Sequence, residues 1–364
     1  MKGWQEDIMN NNKKMFSFSD LSKYRTLLMG VQIILIIIFH FTADCKTADV
    51  HYSGLIAVFY NYIRSSGVDI FLALSGIGLY FSWKNNPSQN DFYRKRLTRI
   101  FIPYLLVAIP SWLFLDVIVN DGDWLKFFGD VSFITFFSNG TRTFWYILMS
   151  FICYLIFPHV FRIVDTAQDT VTEKMRILLL CVTSTVVVIA LQLYYKELYS
   201  NVAIALTRFP AFFVGVLLGK ATYEKRETPV KNIFIWTILS VLLIVPLGII
   251  NKKIIGTYTI AFFNLCFCFL LIFFLNLLSC SKNRVLKFIY TTCRAILEWF
   301  GKYTIELYLT HVIIRKCLKA LGLHTYRYSV YAALVVSSII ISIVLNRISD
   351  AINKKINKKN KKVC

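Results

Sequence analysis

The sequence predicts an all-α polytopic integral membrane protein, a bundle of about ten transmembrane helices. Three observations carry that expectation. Of the 364 residues 57% are hydrophobic, 16% aromatic and 17% charged, with a mean hydropathy of +0.58, whereas a soluble globular domain runs near about half apolar and about a quarter charged. The apolar residues gather in stretches of about 18 or more, the length that crosses a hydrocarbon core roughly 30 Å thick. In lipid each stretch must satisfy its own backbone, which leaves helices for segments of this kind.

In chain order the expected spans lie near 26–43, 54–81, 99–119, 143–163, 177–195, 202–219, 232–250, 255–279, 296–315 and 328–348. The first is clean, whereas the ninth carries Glu306 and His311 and is the least secure by hydropathy. Residues 1–24 are polar and read as a cytoplasmic lead-in, either lying on the membrane surface or loose. The body of the protein is expected over 25–349, and 350–364 as a polybasic cytoplasmic tail attracted to anionic headgroups. The stretch from Val117 to Thr141, rich in Asp, Gly and aromatics, suits a lid or substrate shelf, or serves as a connector. No short apolar segment with a small-residue cleavage site opens the chain, so the first span is expected to be retained.

The net charge of +21 does not indicate nucleic acid, because the Lys and Arg residues sit between apolar spans and near the C-terminus rather than along one soluble face. A cytoplasmic N-terminus puts most of them in inner turns, at Arg94 to Arg99, Arg162 to Arg176, Lys220 to Lys231 and Lys282 to Lys287, and leaves Asp44, Asp49, Asp116, Asp121, Asp123 and Asp130 outside. Lys252, Lys253, Arg315 and Lys316 run against the pattern. Both ends are therefore expected in the cytoplasm of a multi-pass protein of the cell's inner or plasma membrane. The nine cysteines show no CxxC pair or Cys/His spacing that suggests a metal.

Polar residues at membrane depth are costly and tend to mark a pathway or reaction centre. His40 closes the first span, and at 1.5 Å per residue from Leu27 it lies roughly 20 Å along the helix, towards the outer leaflet. A neutral imidazole there can take a proton from a hydroxyl, or can simply be hydrogen-bonded at the headgroup level. In Ser66 to Gly76 an acid, Asp69, stands between Gly67 and Gly76 and needs a basic or imidazole partner, unless it lies near the outer interface. Arg96 and Arg99 share one helical face on the inner side and suit phosphate oxygens, although such runs also serve as positive-inside anchors. Arg208, followed by Pro210, must line a watery cavity, meet an acid or snorkel to an interface. Thr304, Tyr308 and His311 form one polar stripe by i, i+4, i+7 spacing, with Glu306 on a different face, and this density points to a functional cavity.

Taken in this order, the stretches resemble acyltransferase family 3. The resemblance runs from about Lys23 to Asn346 through the first-span His40, the GVDIF run ending in Ser75-Gly76, the basic Arg96 to Tyr104 stretch, Phe144-Trp145 to Phe157-Pro158, Arg208 to Gly215, and Gly301 to His311. It implies transfer of an acyl group, usually acetyl from cytosolic acetyl-coenzyme A, to a hydroxyl of an extracytoplasmic glycan or its lipid-linked precursor. His40 matches the family's essential His, and Arg96 and Arg99 its basic stretch, where the coenzyme's phosphates are expected; Glu306 and Tyr308 match the ninth-span motif. Many members carry an Arg where this chain has Met29; Arg25 lies one turn earlier, about 6 Å along a helix.

On these grounds His40, Glu306 and Asp69 are expected to act in catalysis, and Arg96, Arg99, Arg208 and Arg25 to hold the donor. Trp145, Tyr308 and His311 are expected to bind the acceptor. The partners are the bilayer and the glycan acceptor, with polysaccharide-biosynthesis enzymes and a second copy of the chain left open. The competing expectation is an exporter of a polysaccharide or lipid-linked glycan, for which the same polar residues would line the path.

Overall fold

The computed structural model describes residues 15–50, 68–250 and 254–361; the first half of the span expected at 54–81, Gly67, Lys252 and Lys253 lie outside them. The chain is an all-α polytopic membrane protein, with a single two-stranded ribbon among the described residues. Its elements in order are β1 (Met15–Ser17), α1 (Ser19–Lys23), α2 (Arg25–Thr47), α3 (Asp69–Asn85), α4 (Gln89–Trp112) and α5 (Trp124–Val131). Then come α6 (Ile134–Ser138), α7 (Trp145–Asp165), α8 (Thr170–Tyr194), α9 (Lys196–Leu206), α10 (Phe209–Tyr223) and β2 (Glu227–Pro229). The chain closes with α11 (Val230–Ile250), α12 (Ile255–Ser279), α13 (Arg284–Lys302), α14 (Thr304–Ala320) and α15 (Tyr328–Lys361).

The expectation of ten spans is corrected to seven helices long and apolar enough to cross a membrane among the described residues. Two of the seven continue through a distortion: α4 runs on as a widened π-helical turn to Val119, and α9 with α10 spans Lys196–Tyr223 across a break at Thr207. The ninth expected span, 296–315, is divided. A junction at Tyr303 separates α13 from α14, and α14 has 17 residues, about 26 Å of helix against the roughly 30 Å of a hydrocarbon core. Its charges, Glu306, Arg315, Lys316 and Lys319, are taken up by cavities instead of lipid.

Helix α13 is amphipathic. Val285, Leu286, Phe288, Ile289 and Ile296 are exposed on the same helix that carries Arg284, Lys287, Arg294 and Lys302, the composition of a helix lying in the headgroup plane. Asn283 caps its start by accepting from the Val285 and Leu286 amides at 2.8 and 3.3 Å. It crosses α2 without side chains between the backbones: a Cβ on Gly30 would sit 1.8 Å from the Leu297 carbonyl oxygen, and one on Gly301 would sit 1.8 Å from that of Thr26.

Helices α3 and α10 make the closest pair in the bundle interior, where Gly76 and Gly215 face each other backbone to backbone. Pro210 stands in the first turn of α10, a position that needs no amide hydrogen, so the break after α9 leaves Arg208 at the junction. The N-terminal stretch is tied down rather than loose from residue 15 onward. Strand β1 pairs antiparallel with β2, Phe16 opposite Thr228, and Glu173 of α8 clamps that corner by a bidentate bond to Arg226 at 2.6 and 2.7 Å and by Lys220 at 2.6 Å. The C-terminal segment expected as a separate tail continues α15 to Lys361.

Two cavities aligned along one helix form the candidate active site

Helix α2 presents Arg25 and Met29 to one cavity and Ile36, Phe39 and His40 to another. Fifteen residues separate Arg25 from His40, about 22 Å along a helix. The other elements obey the same order. Helix α14 gives Thr304 and Glu306 to the first cavity and Tyr308, Val312, Arg315, Lys316 and Lys319 to the second. Helices α3 and α7 run the opposite way, with Asp69 and Trp145 at the His40 end and Ser75 and Ser150 at the Arg25 end. The start of α2 and the second half of α15, at Asn346 to Asn353, share one cavity and hence one end of the bundle.

The Arg25 cavity, about 460 Å³, is walled by Arg25, Lys95, Arg96, Arg99 and Lys302 with only Glu306 and Asp350 as acids. Arg25 Nε donates to the Leu74 carbonyl at 2.9 Å, which leaves the two terminal nitrogens of its fork for a ligand. The guanidinium therefore reaches the cavity from one turn below Met29, and Met29 lines the same wall. Glu306, expected on a different face from Tyr308 and His311, lines this cavity, where its Oε1 accepts from Asn346 Nδ2 at 3.0 Å.

The His40 cavity holds about 490 Å³. Arg315 Nη1 lies 3.4 Å from His40 Nδ1; guanidinium nitrogens only donate, so Nδ1 accepts and the neutral ring carries its proton on Nε2. Arg315 is itself fixed by Asp44, whose Oδ2 accepts from its Nε at 2.7 Å and from Thr325 Oγ1 at 2.7 Å, and which also bonds Lys319. His40 and Asp44 are four residues apart, on one face of α2. His311 is wholly buried behind the wall rather than on it, with its ring 5.1 Å from that of His40. Its Nδ1, 2.6 Å from the Leu307 carbonyl, must carry a hydrogen, which leaves a lone pair on an Nε2 that has no partner.

Opposite His40, Asp69 and Arg208 face each other at 3.7 Å, Oδ1 to Nε, and neither atom has a hydrogen bond. Asp69 is 2% exposed, so an unbonded carboxylate oxygen there is expensive unless a ligand completes it. Arg208 also stacks 5.6 Å over the Trp145 ring. Arg208, grouped by sequence with the donor-holding arginines, thus belongs to the other cavity. Phe71 and Tyr146 line the Arg25 cavity and Tyr308 the His40 cavity, and the three rings are in contact, with centroids 5.9 Å apart for Phe71 and Tyr146 and 5.3 Å for Tyr146 and Tyr308.

Sequence reasoning overlooked Arg142, Lys319 and the role of Asp44. Two signals pointed to part of this group: Arg315 and Lys316 broke the positive-inside pattern, and Asp44 follows His40 by one helical turn.

A family model described as an acyltransferase domain, that of acyltransferase family 3, matches residues 26–347. No curated protein and no solved structure matches the chain. The matched region takes in the whole lining of the His40 cavity and most of that of the Arg25 cavity, from α2 into α15, leaving out Arg25, Ser349, Asp350 and Asn353. The chain belongs to acyltransferase family 3 and is a membrane acyltransferase.

Proposed function

We propose that the chain moves an acetyl or similar acyl group from cytosolic acyl-coenzyme A to a hydroxyl of an extracytoplasmic glycan or lipid-linked glycan precursor. The observation that carries this reading is the alignment of a cationic cavity and an imidazole cavity along α2, with Tyr146 of the first and Tyr308 of the second in ring contact. Positive-inside bias makes the Arg25 end cytosolic, in the inner or plasma membrane, with both termini on that side.

The donor's phosphates bind Arg25, Arg96 and Arg99, whose forks match phosphate oxygens. Its extended arm passes Tyr146 and Tyr308 and brings the thioester to His40. A sugar hydroxyl next to the reacting one that donates to Asp69 Oδ1 and accepts from Arg208 Nε satisfies both unbonded atoms at once. With the sugar so held and Arg315 turned from Nδ1 to the acyl oxygen, the reacting hydroxyl gives its proton to His40 Nδ1, its oxygen forms a bond to the acyl carbon, and the carbon–sulfur bond breaks. The thiolate leaves and recovers the proton from His40. Arg315, already at His40, stabilises the oxyanion that forms between these steps. His311 packs its ring 5.1 Å from that of His40 and backs the imidazole from behind the wall. Trp145 and Tyr308 give the sugar an aromatic surface.

An exporter needs a passage through which a glycan can pass, and the ring contacts between the cavities favour the transferase instead. The test is acyl transfer from radiolabelled acetyl-coenzyme A by the purified full chain in detergent, where no gradient exists. His40→Ala is expected to keep its thermal unfolding profile and lose transfer; full transfer by that variant would sink the mechanism.

A further inference from the structure

The wall of the His40 cavity carries Arg142, Arg208, Arg315, Lys316 and Lys319 against Asp69. Asp44, just behind, is shared by Arg315 and Lys319, so five cations meet two carboxylates. Residues 51–67, outside the described structure, contain no acid that could redress this. Two of the cations are held only by neutral groups among the described residues. Arg142 Nη2 donates to the Ser200 carbonyl at 2.5 Å, and Lys316 Nζ donates to Thr143 Oγ1 at 3.3 Å while lying 4.0 Å over the Trp112 ring. The acids whose fields reach Lys316 are Asp130 and Asp116; Asp116 is paired with Lys126 at 2.9 Å and Asp130 has the neutral Thr135 hydroxyl, so with these two acids and Lys126 included six cations meet four carboxylates.

An excess of this kind is expensive in a cavity at the edge of a low-dielectric bundle. The single oxyanion of acyl transfer calls for one set of donors, which Arg315 supplies beside His40. The coenzyme's phosphates have their own cations at the far end of α2, about 22 Å away along the helix. Lys316 and Arg142 are left over, on the wall that faces the acceptor.

We propose that the acceptor is an anionic glycan, with a carboxylate or a phosphate on or next to the acylated sugar that binds Lys316 and Arg142. This rests on the acyltransferase assignment of the cavity and adds the acceptor's chemical class. The fixed charge anchors the sugar at one end of the cavity while Asp69 and Arg208 hold a hydroxyl beside the reacting one at the other. Selection between glycans then follows charge as well as shape, since a neutral glycan leaves both cations desolvated and unpaired.

The experiment uses the full chain in nanodiscs of phosphatidylcholine, a lipid without net charge, and measures equilibrium binding of two matched pairs. One pair is trigalacturonate and its methyl ester; the other is galactose 1-phosphate and galactose. In at least one pair the charged member is expected to bind about 10- to 100-fold more tightly, the span of one or two charge-assisted contacts, and the advantage falls as salt rises. The pair that shows it tells carboxylate from phosphate. Lys316→Met and Arg142→Gln each reduce the advantage, and Lys316→Arg keeps it. Acetyl-coenzyme A leaves it in place. Equal binding of charged and neutral members in both pairs, which needs no variant, overturns the proposal, as does displacement of the charged ligands by acetyl-coenzyme A. If the chain never consumes acetyl-coenzyme A yet keeps the charge preference, the acyltransferase reading fails and the anion site stands.

Discussion

Asp44→Asn isolates what holds His40 in place. The substitution keeps the shape of the side chain and removes the charge that Arg315 and Lys319 share. The Asp44 side chain is 2% exposed and that of Arg315 20%, so their attraction acts largely away from water, whereas Lys319, at 42%, is substantially screened. Removing one partner of a buried pair costs about 3–5 kcal/mol; with Lys319 screened, the low end, about 3 kcal/mol, is expected. The exposed pair Asp91–Arg94, with both side chains 38% exposed, is the control, and Arg94→Ala should cost under about 1 kcal/mol. Catalysis should fall further than stability suggests. Arg315, no longer fixed by Asp44, leaves its place 3.4 Å from His40 Nδ1, and an ångström of misplacement at a reacting group is worth on the order of 100-fold. The assay pairs thermal unfolding in detergent with initial rates of acyl transfer, in a cycle with Arg315→Met. The double variant should regain part of the stability lost by Asp44→Asn, a coupling of at least about 1 kcal/mol. If Asp44→Asn costs no more than Arg94→Ala, or the cycle shows no coupling, the network does not hold the site.

Other outcomes follow from the same geometry. Arg96→Ala and Arg99→Ala should each raise the KM for acetyl-coenzyme A by about tenfold with a smaller effect on kcat, because a phosphate contact is made alike in ground and transition states; initial-rate kinetics read the split. Gly301→Val places a branched side chain where a Cβ alone would meet the Thr26 carbonyl at 1.8 Å, so α13 must leave α2, with a loss of at least about 2 kcal/mol by thermal unfolding. Asp169 caps α8 through Thr172, whose hydroxyl donates to it at 2.6 Å, and these bonds hold its carboxyl below the ordinary carboxylate range. The folded-state value is the lowered one, so the stability it contributes is present above the unfolded value near 3.8 and is lost as pH falls through the folded one; unfolding temperatures across acid pH should show a shallower decline in Asp169→Asn.

The helical class was legible because apolar stretches of membrane length admit little else, and His40, Asp69 and Arg208 stood out because ionisable groups at depth need partners. Asp69 and Arg208 turned out to face each other, which neither segment alone could reveal, since they come from helices more than a hundred residues apart. The extra span at 296–315 arose because hydropathy averages over a window and passes through a junction such as Tyr303. Glu306 was rightly set on a different face from Tyr308 and His311, yet its own cavity was out of reach: helical spacing gives direction around an axis, not the neighbour found there. The Arg315–Asp44–Lys319 network was hidden for another reason. Charges near the end of an apolar stretch look the same in sequence whether they mark topology or are drawn into a pocket by a buried acid.

The rings of Phe71, Tyr146 and Tyr308 carry a further obligation that arises from where they stand. Polar cavities entering from both ends of a membrane helix bundle bring water towards the middle, and an energised membrane drives protons through any continuous file of it, at about 2.3 kcal/mol per charge for each 100 mV. In the mechanism proposed above these three side chains would also serve as electrical insulation. To replace one with alanine would test current as well as turnover, for a chain that leaks is harmful to its cell even while its chemistry still runs.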